Sequence, residues 1–304
     1  MKQSITIGSA ELSNPVLTAS GTFGYGLEFQ EFFDVGRLGA ICTKGLSLEP
    51  RLGNRPTRIA ETPAGMLNAI GLANVGVEAF CTEKLPKLQD QGVTVVANIF
   101  ASTTKDFVAI AERLARESGV LALELNVSCP NVSEGGIEFG KNPNMCAELT
   151  AATKAATDTP IWVKMSPEAP SIIAVAQACE DAGAEAITAI NTIRGMRIDI
   201  AKRQPVLARG MGGFSGPSLK PVALRIVYEL AASIGIPIIA IGGISTTEDA
   251  LEFLFAGASA IQVGTASFID PLAAHHVRVG IENYCEAHQL NASDLIGLAQ
   301  AAKK

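Results

Sequence analysis

The chain has little aromatic or charged character: aromatics make up 5% of its 304 residues, with one Trp and three Tyr, and charged residues 18%. It has no run of basic residues, and 24 Lys+Arg against 30 Asp+Glu leave a net charge of −6. A nucleic-acid binder needs a cationic footprint that displaces phosphate counterions, so that class is disfavoured. Long apolar runs are missing too. The longest, around Ile236–Ile241, falls far short of the roughly 20 residues that span a bilayer, and Met1-Lys2-Gln3-Ser4 opens no signal-peptide core, so the expected location is the cytoplasm, with no membrane association. The six cysteines (42, 81, 129, 146, 179 and 285) form no C-x-x-C pair, and the three histidines (275, 276 and 288) lack ligand spacing. Zinc, iron–sulfur and structural disulfide readings all lose their footing, and no metal site is expected.

What is plentiful is apolar residue content, 48%, arranged in a repeating order. Eight short runs rich in Val, Ile and Ala read as strands: Val16–Ala19, Ala40–Thr43, Val93–Ile99, Leu121–Val127, Ile161–Met165, Ala186–Ile190, Ile236–Ile241 and Ala260–Val263. Between them, Thr104–Ser118, Ala169–Ala182 and Thr246–Ala256 carry apolar residues every three or four positions, the spacing of helices packed on one face. Continuous apolar strands alternating with amphipathic helices predict a parallel sheet covered by helices, and eight units close into a (β/α)8 TIM barrel; an open doubly wound sheet is the alternative. No linker divides the chain, so residues 1–304 read as a single domain. The long gaps after Thr43 and Ile190 read as loop insertions at the C-terminal face.

Chemistry in such a barrel sits where the strands end. Those ends read Ser20-Gly21, Lys44-Gly45, Asn98, Asn126 with Cys129 beyond it, Lys164, Asn191-Thr192, Gly242-Gly243 and Gly264-Thr265. The glycines of the last two strands would let a phosphate reach bare N–H groups, although tight turns also use them. Lys44 and Lys164 would point into a mouth short of water, where each needs a ligand anion or an acidic neighbour; no Asp or Glu adjoins these ends, Glu124 being the nearest. Asn68, Asn98, Asn126 and Asn191 suit a planar ligand with imide and carbonyl edges, or else cap turns. Cys129, in a loop with Gly135, Gly136 and Gly140, is the reactive thiol candidate, while the other five cysteines, Cys42 among them, read as small core residues. Gly135–Asn142 and Gly210–Ser215 come close to a P-loop and a dinucleotide fingerprint; both read as flexible loop sequence.

Longer stretches then carry a resemblance. Asn68-Ala69-Ile70-Gly71-Leu72, the run E-L-N-V-S-C-P-N from Glu124 to Asn131, G-G-I-E-F-G from Gly135 to Gly140, and Asn191–Pro217 ending G-G-F-S-G-P are similar to the dihydroorotate dehydrogenase family, across Asn14–Asp270. The Cys in N-V-S-C-P-N resembles the soluble class 1 enzymes, and Asn191–Asp199 the NAD-linked 1B branch; the fumarate-linked 1A branch is the nearest alternative. More distant ones are a flavin-dependent tRNA-dihydrouridine synthase and a non-catalytic phosphate-binding barrel. Ala208-Arg209 departs from the family pattern.

The resemblance implies oxidation of (S)-dihydroorotate to orotate in pyrimidine (UMP) biosynthesis, with Cys129 as the base. It assigns FMN to Ser20, Lys44, Gly45, Asn98, Asn126, Lys164, Ile190, Gly216, Gly242, Gly243, Gly264 and Thr265. Substrate falls to Lys44, Asn68, Ala69, Ile70, Gly71, Leu72, Asn126, Asn191 and Thr192. It further implies a partner subunit carrying FAD and a [2Fe-2S] cluster that passes electrons to NAD, in a heterotetramer of two catalytic and two partner chains built around a catalytic homodimer.

Overall fold

In the computed structural model, which describes residues 1–128, 130–131 and 137–301, eight parallel strands close into a barrel whose order around the ring is their order in the chain. They are β1 (Val16–Thr18), β2 (Ala40–Cys42), β3 (Val95–Ile99), β4 (Val120–Asn126), β5 (Ile161–Lys164), β6 (Ala186–Ala189), β7 (Ile238–Ile241) and β8 (Ala260–Val263). All eight fall within a few residues of the sequence expectation. The seventh starts later than Ile236, because Pro237 has no N–H to give the ladder.

Strands buried on both faces must be apolar on both. Outward residues such as Val95, Ala97, Leu123, Val163 and Ile187 pack under the helices, while inward Ala40, Val96, Ala122, Trp162, Ala186, Ile239 and Ala260 form a separate interior cluster. That cluster is floored by Ile5, Ile7 and Leu12, from a hairpin pairing Ile5–Ile7 with Ala10–Leu12. One end of the barrel is thus plugged. The opposite end is left for the site.

The covering helices are α1 (Leu85–Asp90), α2 (Thr104–Leu114), α3 (Pro143–Ala155), α4 (Ile172–Asp181), α5 (Lys220–Ala231), α6 (Thr247–Phe255) and α7 (Ala273–His288). Four of them start where a short polar side chain accepts a first-turn N–H: Thr103, Asn142, Ser171 and Thr246. Between β1 and β2 only the 3-10 turns Leu27–Phe29 and Val35–Arg37 take a helix's place.

The long segments after β2 and β6 do not remain loops. Ile193–Met196, Met211–Ser215, Gly65–Asn68 and Ile59–Thr62 pair, in that order, into a four-stranded antiparallel sheet. The expectation that Gly210–Ser215 is flexible loop sequence is therefore corrected, since Gly212 and Gly213 sit inside a paired strand. A side chain at Gly213 would collide with Thr192, so glycine there is a packing requirement. Among the described residues no helix is long and apolar enough to cross a membrane.

Candidate active site

One layer above the apolar floor, the inward positions turn polar. Asn98, Glu124, Lys164 and Gln262 each follow an inward apolar residue by two, the period that keeps a strand's side chains on one face. Glu124, fully buried, is the hub. Its Oε1 accepts from Asn98 Nδ2 at 2.7 Å and Cys42 Sγ at 3.2 Å, and lies 3.6 Å from Lys164 Nζ; its Oε2 accepts from Gln262 Nε2 at 2.7 Å. Burial by itself would raise the carboxyl's pKa, yet Lys164 and the three donors together hold it below the ordinary carboxylate range. Burial, with Glu124 beside it, pushes the Cys42 thiol well up.

One expectation changes here, and another holds with an added contact. Lys164 does have an acidic neighbour, because Glu124 lies on the adjacent strand one layer below Asn126, where register brings it to Lys164. Cys42 is buried like a core residue, but its thiol is spent on a carboxylate. Gln262 joins the site without standing at a strand end, although a Gln two residues before Gly264 on an apolar strand has inward parity.

The rim is half-buried. Lys164 Nζ donates to Ser20 Oγ at 3.0 Å, joining two expected residues 144 positions apart in the chain. Asn191 Nδ2 donates to Asn126 Oδ1 at 3.1 Å and to Ser128 Oγ at 3.0 Å, so that pair also converges. Thr265 Oγ1 donates to Ser215 Oγ at 2.8 Å, tying the end of β8 to the antiparallel sheet just before Gly216. Gly45 stands against Asn98, whose Oδ1 would lie 2.9 Å from a Cβ placed there. Ile190 is buried and donates its N–H to the Ile241 carbonyl at 3.0 Å.

Other expected residues are less joined. The Lys44 ammonium forms no ion pair among the described residues, its backbone N–H donating to the Gly24 carbonyl at 2.9 Å. Asn68 donates to the Gly213 carbonyl at 3.3 Å, beside the same glycine that Thr192 packs on. Ala69 and Ile70 offer their carbonyls to Asn54, Gly71 packs on the same Asn54, and the Leu72 carbonyl accepts from Asn74 Nδ2 at 2.9 Å. Among the described residues no side-chain hydrogen bond joins this turn to the Lys164 network. Cys129 lies outside the described residues.

A cavity of about 420 Å³ opens beside Asn191 and Thr192, lined also by Ser128, Ser166, Arg194 and Arg209. Ser128 is the chain neighbour of Cys129. Glu168 on its wall accepts from Lys141 Nζ at 3.1 Å and the Arg194 N–H at 3.2 Å, contacts that hold its carboxyl low against the burial that raises it. In sequence, Glu168, Arg194 and Arg209 look like ordinary surface charges.

Past β7, Gly242 and Gly243 take φ values of +133° and +79°, and a Cβ on Gly243 would lie 2.7 Å from the Lys220 backbone nitrogen. Only glycine lets the turn seat against the start of α5. Asp249 anchors it: Oδ2 accepts from the Ser245 and Thr246 N–H groups at 2.9 and 3.0 Å, and Oδ1 meets Lys220 Nζ at 2.7 Å.

Does a flavin fit these residues? The mouth offers a fixed ammonium, paired amides, a bare glycine turn for phosphate, and open space around Gly21, where a Cβ would meet nothing within 4 Å. Gln262 Oε1 and Thr188 Oγ1 are buried with no partner among the described residues, leaving polar capacity for a further group. The donor set and the space fit.

Fold and site together define a TIM-barrel protein with a polar, cation-bearing mouth suited to a phosphorylated planar cofactor and a small anionic ligand. Residues 3–284 match the family model for dihydroorotate dehydrogenase. A Pelobacter propionicus protein is 51% identical over 300 residues (98% of this chain, 99% of that one), and a Trichlorobacter lovleyi protein 52% over 295 residues (97% of each). A Geobacter sulfurreducens protein is 50% identical over 281 residues, 92% of each chain. All three are named dihydroorotate dehydrogenase B (NAD(+)), catalytic subunit. The chain belongs to the dihydroorotate dehydrogenase family.

Proposed function

We propose that this chain, acting as a single barrel domain over residues 1–304, is an FMN-dependent dihydroorotate dehydrogenase of class 1B in the cytoplasm. It oxidises (S)-dihydroorotate to orotate for pyrimidine synthesis. The observation that carries the reading is the convergence at one barrel rim of Lys164 with Ser20 and of Asn126 with Asn191, from four different strand ends. The relatives' names support the NAD-linked branch.

Ser20, Lys44, Gly45, Asn98, Asn126, Lys164, Ile190, Gly216, Gly242, Gly243, Gly264 and Thr265 would hold FMN, the last four around its phosphate. When bound, FMN supplies a hydride acceptor at N5. Substrate would be held by Lys44, by the segment Asn68, Ala69, Ile70, Gly71 and Leu72, and by Asn126, Asn191 and Thr192. Lys44, with no ion pair among the described residues, is available for the substrate carboxylate; the amide pair, locked to each other and to Ser128, presents fixed groups to the imide edge. Cys129, next to Ser128, would take the C5 proton and the C6 hydrogen would leave as hydride, so that a proton goes by one route and a hydride, carrying both electrons, by the other. Lys164 places positive charge where reduction adds negative charge.

A separate subunit carrying FAD and [2Fe-2S] would take the electrons to NAD, in a heterotetramer of two catalytic and two partner chains around a catalytic homodimer. The words "catalytic subunit" in the relatives' names support a partner. The test is to supply dihydroorotate and one acceptor at a time to the purified chain. The expected result is neither brisk NAD nor brisk fumarate reduction without the partner. Brisk NAD reduction by the chain alone would remove the partner, and brisk fumarate reduction would place the chain in class 1A.

A further inference from the structure

The buried carboxylate beneath the mouth has no part in proton or hydride transfer, yet the interior is built around it. Both oxygens accept hydrogen bonds, from an amide on either side, and a thiol is added on one. Such a donor set suits a carboxylate and not a carboxylic acid, whose O–H would face other donors. An ion pair fully taken from water is costly, and hydrophobic residues of similar volume commonly do as well for stability. Its presence at the centre of the barrel points to a use of the charge.

That use follows from position. Lys164 Nζ has Ser20 Oγ at 3.0 Å on one side and Glu124 Oε1 at 3.6 Å on the other, so the carboxylate aims the ammonium at the rim and offsets part of its charge. Resting on the FMN reading above, we infer that Glu124 is a positioning residue that makes the reduced, anionic flavin harder to form, keeping its electrons at low enough potential to pass towards NAD. The Lys164 ammonium alone would hold reduced flavin too tightly. The Glu124 charge behind it weakens that hold without removing the cation.

The test is the redox poise of bound FMN, set anaerobically with mixtures of dihydroorotate and orotate and read from flavin absorbance. In Glu124→Gln the negative charge is lost at nearly constant shape, and the flipped Gln262 amide can offer its unpartnered Oε1 to the new N–H donor. The dihydroorotate-to-orotate ratio at half reduction should fall about tenfold or more, as loss of the charge 3.6 Å behind the Lys164 ammonium implies. Should that variant fail to fold, the double variant Glu124→Gln with Gln262→Glu keeps one carboxylate and every hydrogen bond but moves the charge away from Lys164; its ratio should fall in the same direction by less. If Glu124 only holds the barrel together, thermal stability and FMN content drop while the ratio stays put, and the inference is overturned. Wild-type protein that takes up no FMN, or that is not bleached at any ratio, overturns the FMN reading as well.

Discussion

At the scale of single residues, function and stability come apart. Cys129 is proposed to touch substrate and not the flavin phosphate, so Cys129→Ala should keep FMN while losing about a hundredfold or more in turnover, the usual cost of a missing general base. Unchanged turnover near neutral pH would remove it from that role. Glu124 behaves oppositely with acid. Its carboxyl is held below the ordinary range in the folded protein, so its contribution is fully present above the ordinary carboxylate pKa and lost as pH falls through the lowered value. Acid unfolding followed by the fluorescence of Trp162, the one Trp and a fully buried one, should show a shallower acid limb in Glu124→Gln than in wild type. An identical limb would mean that another group governs acid lability. The importance of Glu124 was half legible: the alternation Ala122, Glu124, Asn126 gives its inward parity, but that Lys164 lies opposite depends on strand register, which no single strand reveals.

At the scale of elements, the local signals were legible and the distant pairings were not. Apolar runs bounded by glycine and small polar residues located all eight barrel strands, because each is buried on both faces whatever its neighbours are. The antiparallel sheet escaped notice since Gly65–Asn68 and Met211–Ser215 pair across about 145 residues of chain, and their glycines weaken the strand pattern. The turn after β7 invites a test. Thr246 caps α6 in a reciprocal box with Asp249, and Asp249 also fixes the Gly242–Ser245 turn proposed for phosphate. Thr246→Ala should cost about 1 kcal/mol, a fall of about 2 °C in Tm for a chain of this size, with FMN still bound. Loss of FMN with an unaltered Tm would show that the cap serves the ligand and not the helix.

For the whole molecule, the barrel divides its labour along its axis: a hairpin plug and apolar floor at one end, a charged layer in the middle, a glycine- and amide-lined rim at the other. The rim was read from strand ends alone, because a closed parallel barrel carries all of its C-terminal ends to one face. The cavity beside Asn191 was not, since Arg194 reaches it from the antiparallel sheet and Arg209 from the turn just before Met211. The central claim is that this rim oxidises dihydroorotate with a bound flavin. It is tested most directly by the visible spectrum of the purified chain, loaded with FMN and mixed anaerobically with dihydroorotate. The account predicts a yellow protein that bleaches on mixing and yields orotate in equal amount to the flavin reduced; a protein that binds no FMN, or stays yellow with dihydroorotate in excess, would contradict it.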